Sequence, residues 1–152
     1  DSEGLATKKR EILSKGVLNG WTLDLASARK LGMRPTANAS RSVSSNPSPT
    51  NWNIELSSPE DYCDNLLSEM GNGLLVTSLI GSTINPNTGD YSRGVSGFWV
   101  ENGQICYPVS EITIAGNLRD MLKKIILGND AQRHLSYVVP SILVEDMTLA
   151  GS

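Results

Sequence analysis

Phe98-Trp99-Val100-Glu101-Asn102-Gly103-Gln104-Ile105-Cys106-Tyr107 decides the fold class. Two short runs rich in aromatic and β-branched residues flank Asn102-Gly103, a dipeptide that tolerates the two positive φ values of a type I′ turn. The stretch reads as an antiparallel hairpin, 98–101 against 104–107. Upstream, the first of these strands extends back to Ser92, behind a loop over 81–90 rich in Gly, Asn and Pro. Before that loop, Leu74-Leu75-Val76-Thr77-Ser78-Leu79-Ile80 is apolar enough to predict a strand buried on both faces and central in its sheet. Downstream, Pro108 predicts an edge or a break, because proline has no N–H to give a ladder, and 111–115 reads as a further strand.

The flanking text supplies the helices. Ser58-Pro59-Glu60-Asp61 carries a capping pattern, and the helix it opens runs to Met70 with Tyr62, Leu66, Leu67 and Met70 on one face, stopping at Gly71-Asn72-Gly73. Asn117 caps a second helix, in which Leu118, Met121, Leu122, Ile125 and Ile126 follow the three-and-four spacing of a buried face up to Gly128. Strands are expected at 137–140 and 141–149. Near the start, Lys15-Gly16 turns a hairpin between 10–13 and 17–23, and Asp24 caps a short helix, Leu25-Ala26-Ser27-Ala28-Arg29-Lys30-Leu31, that ends at Gly32. Strands outnumber helices and no βαβ rhythm occurs. The expected class is α+β, mostly antiparallel sheet, barrel- or sandwich-like, with about three short helices. Residues 34–51, crowded with Pro, Ser, Asn and Thr, read as a long mobile surface loop, with a lid over a peptide groove as the alternative.

Bulk numbers narrow the function. The chain has 152 residues, 39% hydrophobic and 19% charged, which fits one ordinary globular domain. A net charge of −3 gives no footprint for nucleic acid or an anionic membrane, and no apolar run is long enough to span one. The first residue, Asp1, opens no signal-like segment, so the expectation is a piece of a longer protein. Cys63 and Cys106 lie far apart without metal or redox spacing, as suits a reducing cytoplasm, and a domain of this size needs no disulfide staple.

Chemistry has few places to sit. His134 is the one histidine and no His-Glu-x-x-His occurs, so neither catalytic residues nor metal ligands are assigned, and His134 reads as a surface residue. Gly-x-Ser-x-Gly and phosphate-binding glycine loops are absent, and Gly94-Val95-Ser96-Gly97 resembles a nucleophile elbow only superficially. The dense polar clusters are 85–94 and 107–111. Their turn formers, hydroxyls and charges beside strands suit a groove for extended peptide, with Asp90, Tyr91, Ser92, Arg93, Ser110 and Glu111 as candidate substrate-binding residues. Against this stands a plain structural reading, in which Asp90 and Arg93 pair across a turn.

The same stretches carry a resemblance. Gly73-Leu74-Leu75-Val76-Thr77, Asn85-Pro86-Asn87-Thr88-Gly89-Asp90-Tyr91-Ser92-Arg93-Gly94, Gly97-Phe98-Trp99-Val100-Glu101-Asn102-Gly103 and the run from Tyr107 to Asn117 resemble the PmbA (TldE) branch of the TldD/PmbA family. Gly16-Val17-Leu18 and Ser27-Ala28-Arg29-Lys30-Leu31-Gly32 extend it over nearly the whole chain. The resemblance implies the C-terminal domain of a cytoplasmic bacterial or archaeal protein. It also implies a heterodimer with a TldD-like subunit, cleavage of unfolded or small peptides, and a part in peptide maturation. It places zinc in the TldD-like partner and no cofactor in this chain, since TldD-like chains supply a cysteine ligand near their C-terminus and 132–140 here has none. The family's older name, modulator of DNA gyrase, implies the alternative of a regulatory protein-binding module without a peptidase role. Sheet edges left uncovered predict self-association of the isolated stretch.

Overall fold

The computed structural model describes residues 1–58 and 62–151, in two compact units: Asp1–Glu55 with His134–Tyr137, and Leu56–Arg133 with Val138–Ser152. The class is α+β, the main sheets are antiparallel apart from one short parallel pair, and among the described residues no sheet closes into a barrel.

In the first unit, β1 (Leu13–Ser14) and β2 (Val17–Leu18) form the expected hairpin, with Lys15 at φ 50 and Gly16 at φ 77. It is shorter than the sequence suggests. Beyond the bond from Asn19 N to Ile12 O the chain leaves the ladder, and Arg10 donates to Asn38 Oδ1 (3.2 Å) and Thr22 Oγ1 (3.1 Å). α1 (Leu25–Leu31) has both expected ends. Asp24 Oδ1 accepts from Ser27 N at 2.7 Å, Arg29 and Lys30 sit in the last turn, and Gly32 closes it at φ 64. Two hydrogen bonds to the one carboxylate oxygen region, from the side chain and backbone of Ser27, hold the Asp24 carboxyl below the ordinary range. Within 34–51, β3 (Ala39–Ser40) pairs with β4 (Ser48–Pro49), Ala39 is fully buried, and Thr50 N donates to Asn38 O. β5 (Ile54–Glu55) pairs with the start of β11 (Tyr137–Val138).

The second unit holds two sheets. One has the order β13-β9-β8-β7, built from β7 (Gly73–Ile84), β8 (Asp90–Glu101), β9 (Gln104–Asn117) and β13 (Thr148–Ala150). Asn102 and Gly103 make the expected turn at φ 51 and 75, and Glu101 pairs with Gln104. The other has the order β12-β10-β6, from β6 (Tyr62–Cys63), β10 (Ile125–Gly128) and β12 (Ile142–Val144), with β6 parallel to β10. Val95 and Val100 are the largest fully buried side chains; five residues apart on β8, they lie on opposite faces.

Four expectations change. β7 is an edge strand rather than a central one, with Leu79 and Ile80 exposed; its apolar run matches a buried strand only when position in the sheet is ignored. Pro108, expected at an edge or a break, does sit at an edge, with β9 continuing through it opposite Phe98. β13 pairs only with Thr113, Ile114 and Ala115, so Pro108 lies where β9 is itself an edge. The helix start at 59–61 lies outside the described residues. Tyr62–Cys63 is strand, and α2 (Leu66–Met70) starts from a new cap, with Asn65 Oδ1 accepting from Ser68 N at 3.1 Å. The helix after Asn117 is a single turn, α3 (Leu118–Met121). Bonds from Lys123 N to Asp120 O and Lys124 N to Met121 O tighten its exit, and the β-branched Ile125 and Ile126 enter β10. The final strand is likewise split into β12 and β13, with Asp146 at φ 57 between them.

Candidate functional site

The polar cluster after β7 is a turn held by its own side chains. Asn85 Oδ1 accepts from Asn87 N (3.0 Å) and Thr88 N (3.3 Å), and Thr88 Oγ1 donates to Asp90 Oδ2 at 2.6 Å. Asn117 fastens this turn to α3. Its Nδ2 donates to Thr88 O at 3.0 Å, its Oδ1 accepts from Arg119 N, and Leu118 N donates to Gly89 O at 2.8 Å. Gly89, at φ +85, brings its backbone so close that a Cβ would lie 3.0 Å from Asn117 Oδ1. Sequence reading finds Asn117 as a cap and misses this second bond, for which a lone Asn gives no signal.

Asp90 and Arg93 are not paired. The Asp90 carboxylate is engaged by Thr88 and, at 3.4 Å, by Asn117 Nδ2, whereas Arg93 Nη2 donates to the Gly81 carbonyl where β7 shifts register. Arg93 Nε is buried without a partner among the described residues. Strand alternation sends Asp90 and Ser92 to one face of β8 and Tyr91 and Arg93 to the other. Ser110 and Glu111 stand elsewhere, at a bulge where β9 shifts register between Val109 and Ile112 and Glu111 takes φ 58. Counting residues along β9, they lie about 20 Å from Asp90. The six candidates therefore occupy two places on one sheet.

Two open hollows mark the same unit. One, of about 300 Å3, is lined by Gly116, Asn117, Asp120, Met121, Lys123, Lys124, Glu145 and Asp146. Its charges answer one another: Lys124 Nζ lies 2.5 Å from Asp146 Oδ2 and Lys123 Nζ 3.6 Å from Asp120 Oδ1. The Lys124–Asp146 hydrogen bond raises the lysine and lowers the carboxyl from their ordinary values. The other hollow, of about 350 Å3, is lined by Asn72, Trp99, Glu101 and Asn102, with Trp99 Nε1 donating to Glu101 Oε1 at 3.1 Å.

Zinc does not fit the residues present. No group of three or more His, Cys, Asp or Glu side chains converges among the described residues; His134 is exposed, Cys106 exposed and Cys63 half-buried, both thiols free. Nor is any helix of the described residues long and apolar enough to cross a membrane. What the sheet does offer is backbone. Among the described residues β7 has a strand neighbour on one side only, so its other flank carries N–H and C=O groups without a ladder partner.

The family model for the PmbA/TldA metallopeptidase C-terminal domain matches residues 1–151. The metalloprotease PmbA of Escherichia coli O157:H7 is 46% identical over 152 residues, 99% of this chain and 32% of that protein. The metalloprotease TldD homolog of Buchnera aphidicola subsp. Acyrthosiphon pisum is 24% identical over 169 residues, all of this chain and 35% of that one. A solved structure from Bacteroides thetaiotaomicron, named as a candidate modulator of DNA gyrase, superposes with a TM-score of 0.81. It is 33% identical, covering 100% of this chain and 32% of that one. The chain thus spans about a third of the length of the relatives it matches.

Proposed function

The chain belongs to the PmbA/TldD metallopeptidase family, as the C-terminal domain of its PmbA branch, and from that premise we propose that it is the metal-free half of a two-chain peptidase. A TldD-like subunit supplies zinc, which activates water for hydrolysis. This chain pairs with it in a heterodimer and helps to hold and enclose unfolded or small peptides for proteolysis and peptide maturation. The setting is the cytoplasm, consistent with two free thiols, Cys63 and Cys106.

The observation that carries this reading is the open flank of β7. An extended peptide laid along it meets backbone donors and acceptors at every second residue, whatever its sequence, which suits a peptidase acting on varied unfolded segments. Tyr91 and Arg93 stand on one face of β8, the next strand in from β7, with Asp90 and Ser92 on its other face, and the bulge at Ser110 and Glu111 lies one strand farther on β9. Among them Arg93 is the residue with an unmet donor, its Nε, and is the one chosen for the test.

The test measures metal content and peptide cleavage for the protein alone and mixed with a TldD-like partner. Cleavage only in the mixture, with zinc on the partner, sustains the assignment; stoichiometric zinc or cleavage by this protein alone overturns it. Arg93→Ala in the reconstituted pair is expected to raise KM several-fold, and unchanged cleavage removes Arg93 from the substrate wall. A second reading, a regulatory protein-binding module, draws on the gyrase-modulator name of the solved relative. Recovery of gyrase rather than a zinc-bearing subunit with the purified protein would favour it.

A further inference from the structure

The hollow at the start of β7 has a composition the peptide reading does not by itself explain. Trp99 sits directly between Leu74 of β7 and Tyr107 of β9, so all three side chains share one face of the sheet. Tyr107 is 51% exposed, Trp99 half-buried. Glu101, two residues on, lies on the same face and lines the hollow, its Oε1 accepting the indole N–H. Asn72 is fixed at the rim, its Oδ1 accepting from Asn102 N at 2.8 Å. Of the four lining residues Glu101 alone is charged. An indole and one carboxylate around an open space, with a phenol on the next strand of the same face, are the chemistry that selects an organic cation.

Distance decides which cation. A strand added to β7 runs about 5 Å from it and about 10 Å from Trp99. A side chain leaving that strand over Leu74 must therefore be long, apolar along its stem and charged at its tip. We propose that the Asn72, Trp99, Glu101 and Asn102 hollow is a subsite for a lysine or arginine side chain of a peptide bound along β7. The proposal rests on the peptide-strand reading above and adds a preference to it.

Two arms test it separately. In the first, n-butylammonium, n-butanol and butyrate are titrated into the protein while the indole N–H resonance of Trp99, identified by its loss in Trp99→Phe, is followed. A saturable shift with butylammonium alone, lost in Glu101→Gln, is expected; no shift, or an equal shift with butanol, overturns the subsite. In the second arm, capped alanine–valine hexapeptides with one central lysine, norleucine or glutamate are compared. The lysine peptide is expected to bind about three- to tenfold more tightly than the norleucine peptide, falling below about twofold in Glu101→Gln. Equal binding of lysine and norleucine peptides keeps the peptide-strand reading and removes the subsite. Binding of neither removes the peptide-strand reading, and the butylammonium arm then decides the cation site by itself.

Discussion

Gly97→Ala isolates what holds the central ribbon together. Gly97 is buried opposite Val76 of β7 and Val109 of β9, and a Cβ there would lie 1.9 Å from Leu75 O, 2.9 Å from Leu75 C and 3.1 Å from Val76 Cα. All three atoms are backbone, so no rotamer change relieves the overlap. β7 must retreat by more than about 1 Å, stretching the ladder bonds beside Val76, each worth about 1 kcal/mol. Overpacking of a closed site adds about 1–3 kcal/mol, so the variant is expected to lose about 3 kcal/mol. Against a total of about 5–15 kcal/mol for a domain, that is a large share. Gly94→Ala, on the same strand, is the control: its Cβ meets Ile80 Cβ at 3.7 Å, ordinary contact, and the change is expected to stay within about 1 kcal/mol of neutral. Urea unfolding followed by tryptophan fluorescence, with the slope checked for constancy, reads both. Equal midpoints for Gly97→Ala and the parent, or equal losses from the two variants, would refute the steric argument.

Asn117→Ala should cost about 1–2 kcal/mol by freeing both Thr88 O and the α3 cap. Asn117→Asp keeps the cap, removes the donor and sets a second carboxylate beside Asp90, so hydrogen exchange should quicken at the 85–89 turn more than at Arg119; equal quickening contradicts the two-bond role. The Asp24 carboxyl is held below its ordinary range by Ser27, so its stabilising effect is full above that range and is lost as pH falls through the lowered value. The melting-temperature gap between the parent and Asp24→Asn should therefore close on acidification, and a gap that persists to about pH 2 argues against it. Ile80, 67% exposed on the outer strand, is a test of self-association: Ile80→Lys should lower it in sedimentation velocity, and unchanged sedimentation of a self-associating parent removes the β7 edge as the contact.

Legibility followed locality. Asn102-Gly103 and the Asp24 to Gly32 helix were plain in the sequence because each is decided within a few residues by backbone preference and capping. Leu74–Ile80 misled because an apolar run states that a strand wants cover, not which side of it a neighbour occupies. The Asn117 segment misled for a related reason: Leu118, Met121, Leu122, Ile125 and Ile126 fit a helical face, yet Ile125 and Ile126 are drawn into a ladder with Val144 and Leu143, partners far along the chain. At the candidate site, the 85–94 cluster stands out in sequence by its composition, but composition does not tell a side chain spent on its own turn, as Thr88 is, from one left with an unmet donor, as Arg93 is. Trp99 and Glu101 drew no notice as a pair, since spacing two on a strand is common to any exposed face.

The wiring of the four-stranded sheet also sets an order of assembly. β7, β8 and β9 follow one another through two tight turns, whereas β13 reaches β9 only after α3, β10, β11 and β12 have gone by. Hairpins close in about 1–10 μs, while pairings between distant segments wait on a longer search. During synthesis the three-stranded meander has its full set of partners while the chain beyond Asn117 is still emerging, and the flank of β9 at Thr113, Ile114 and Ala115 stays open until Thr148–Ala150 arrives to cover it. A nascent chain stalled between those points leaves that stretch of β9 uncovered, the interval in which a chaperone has most to protect.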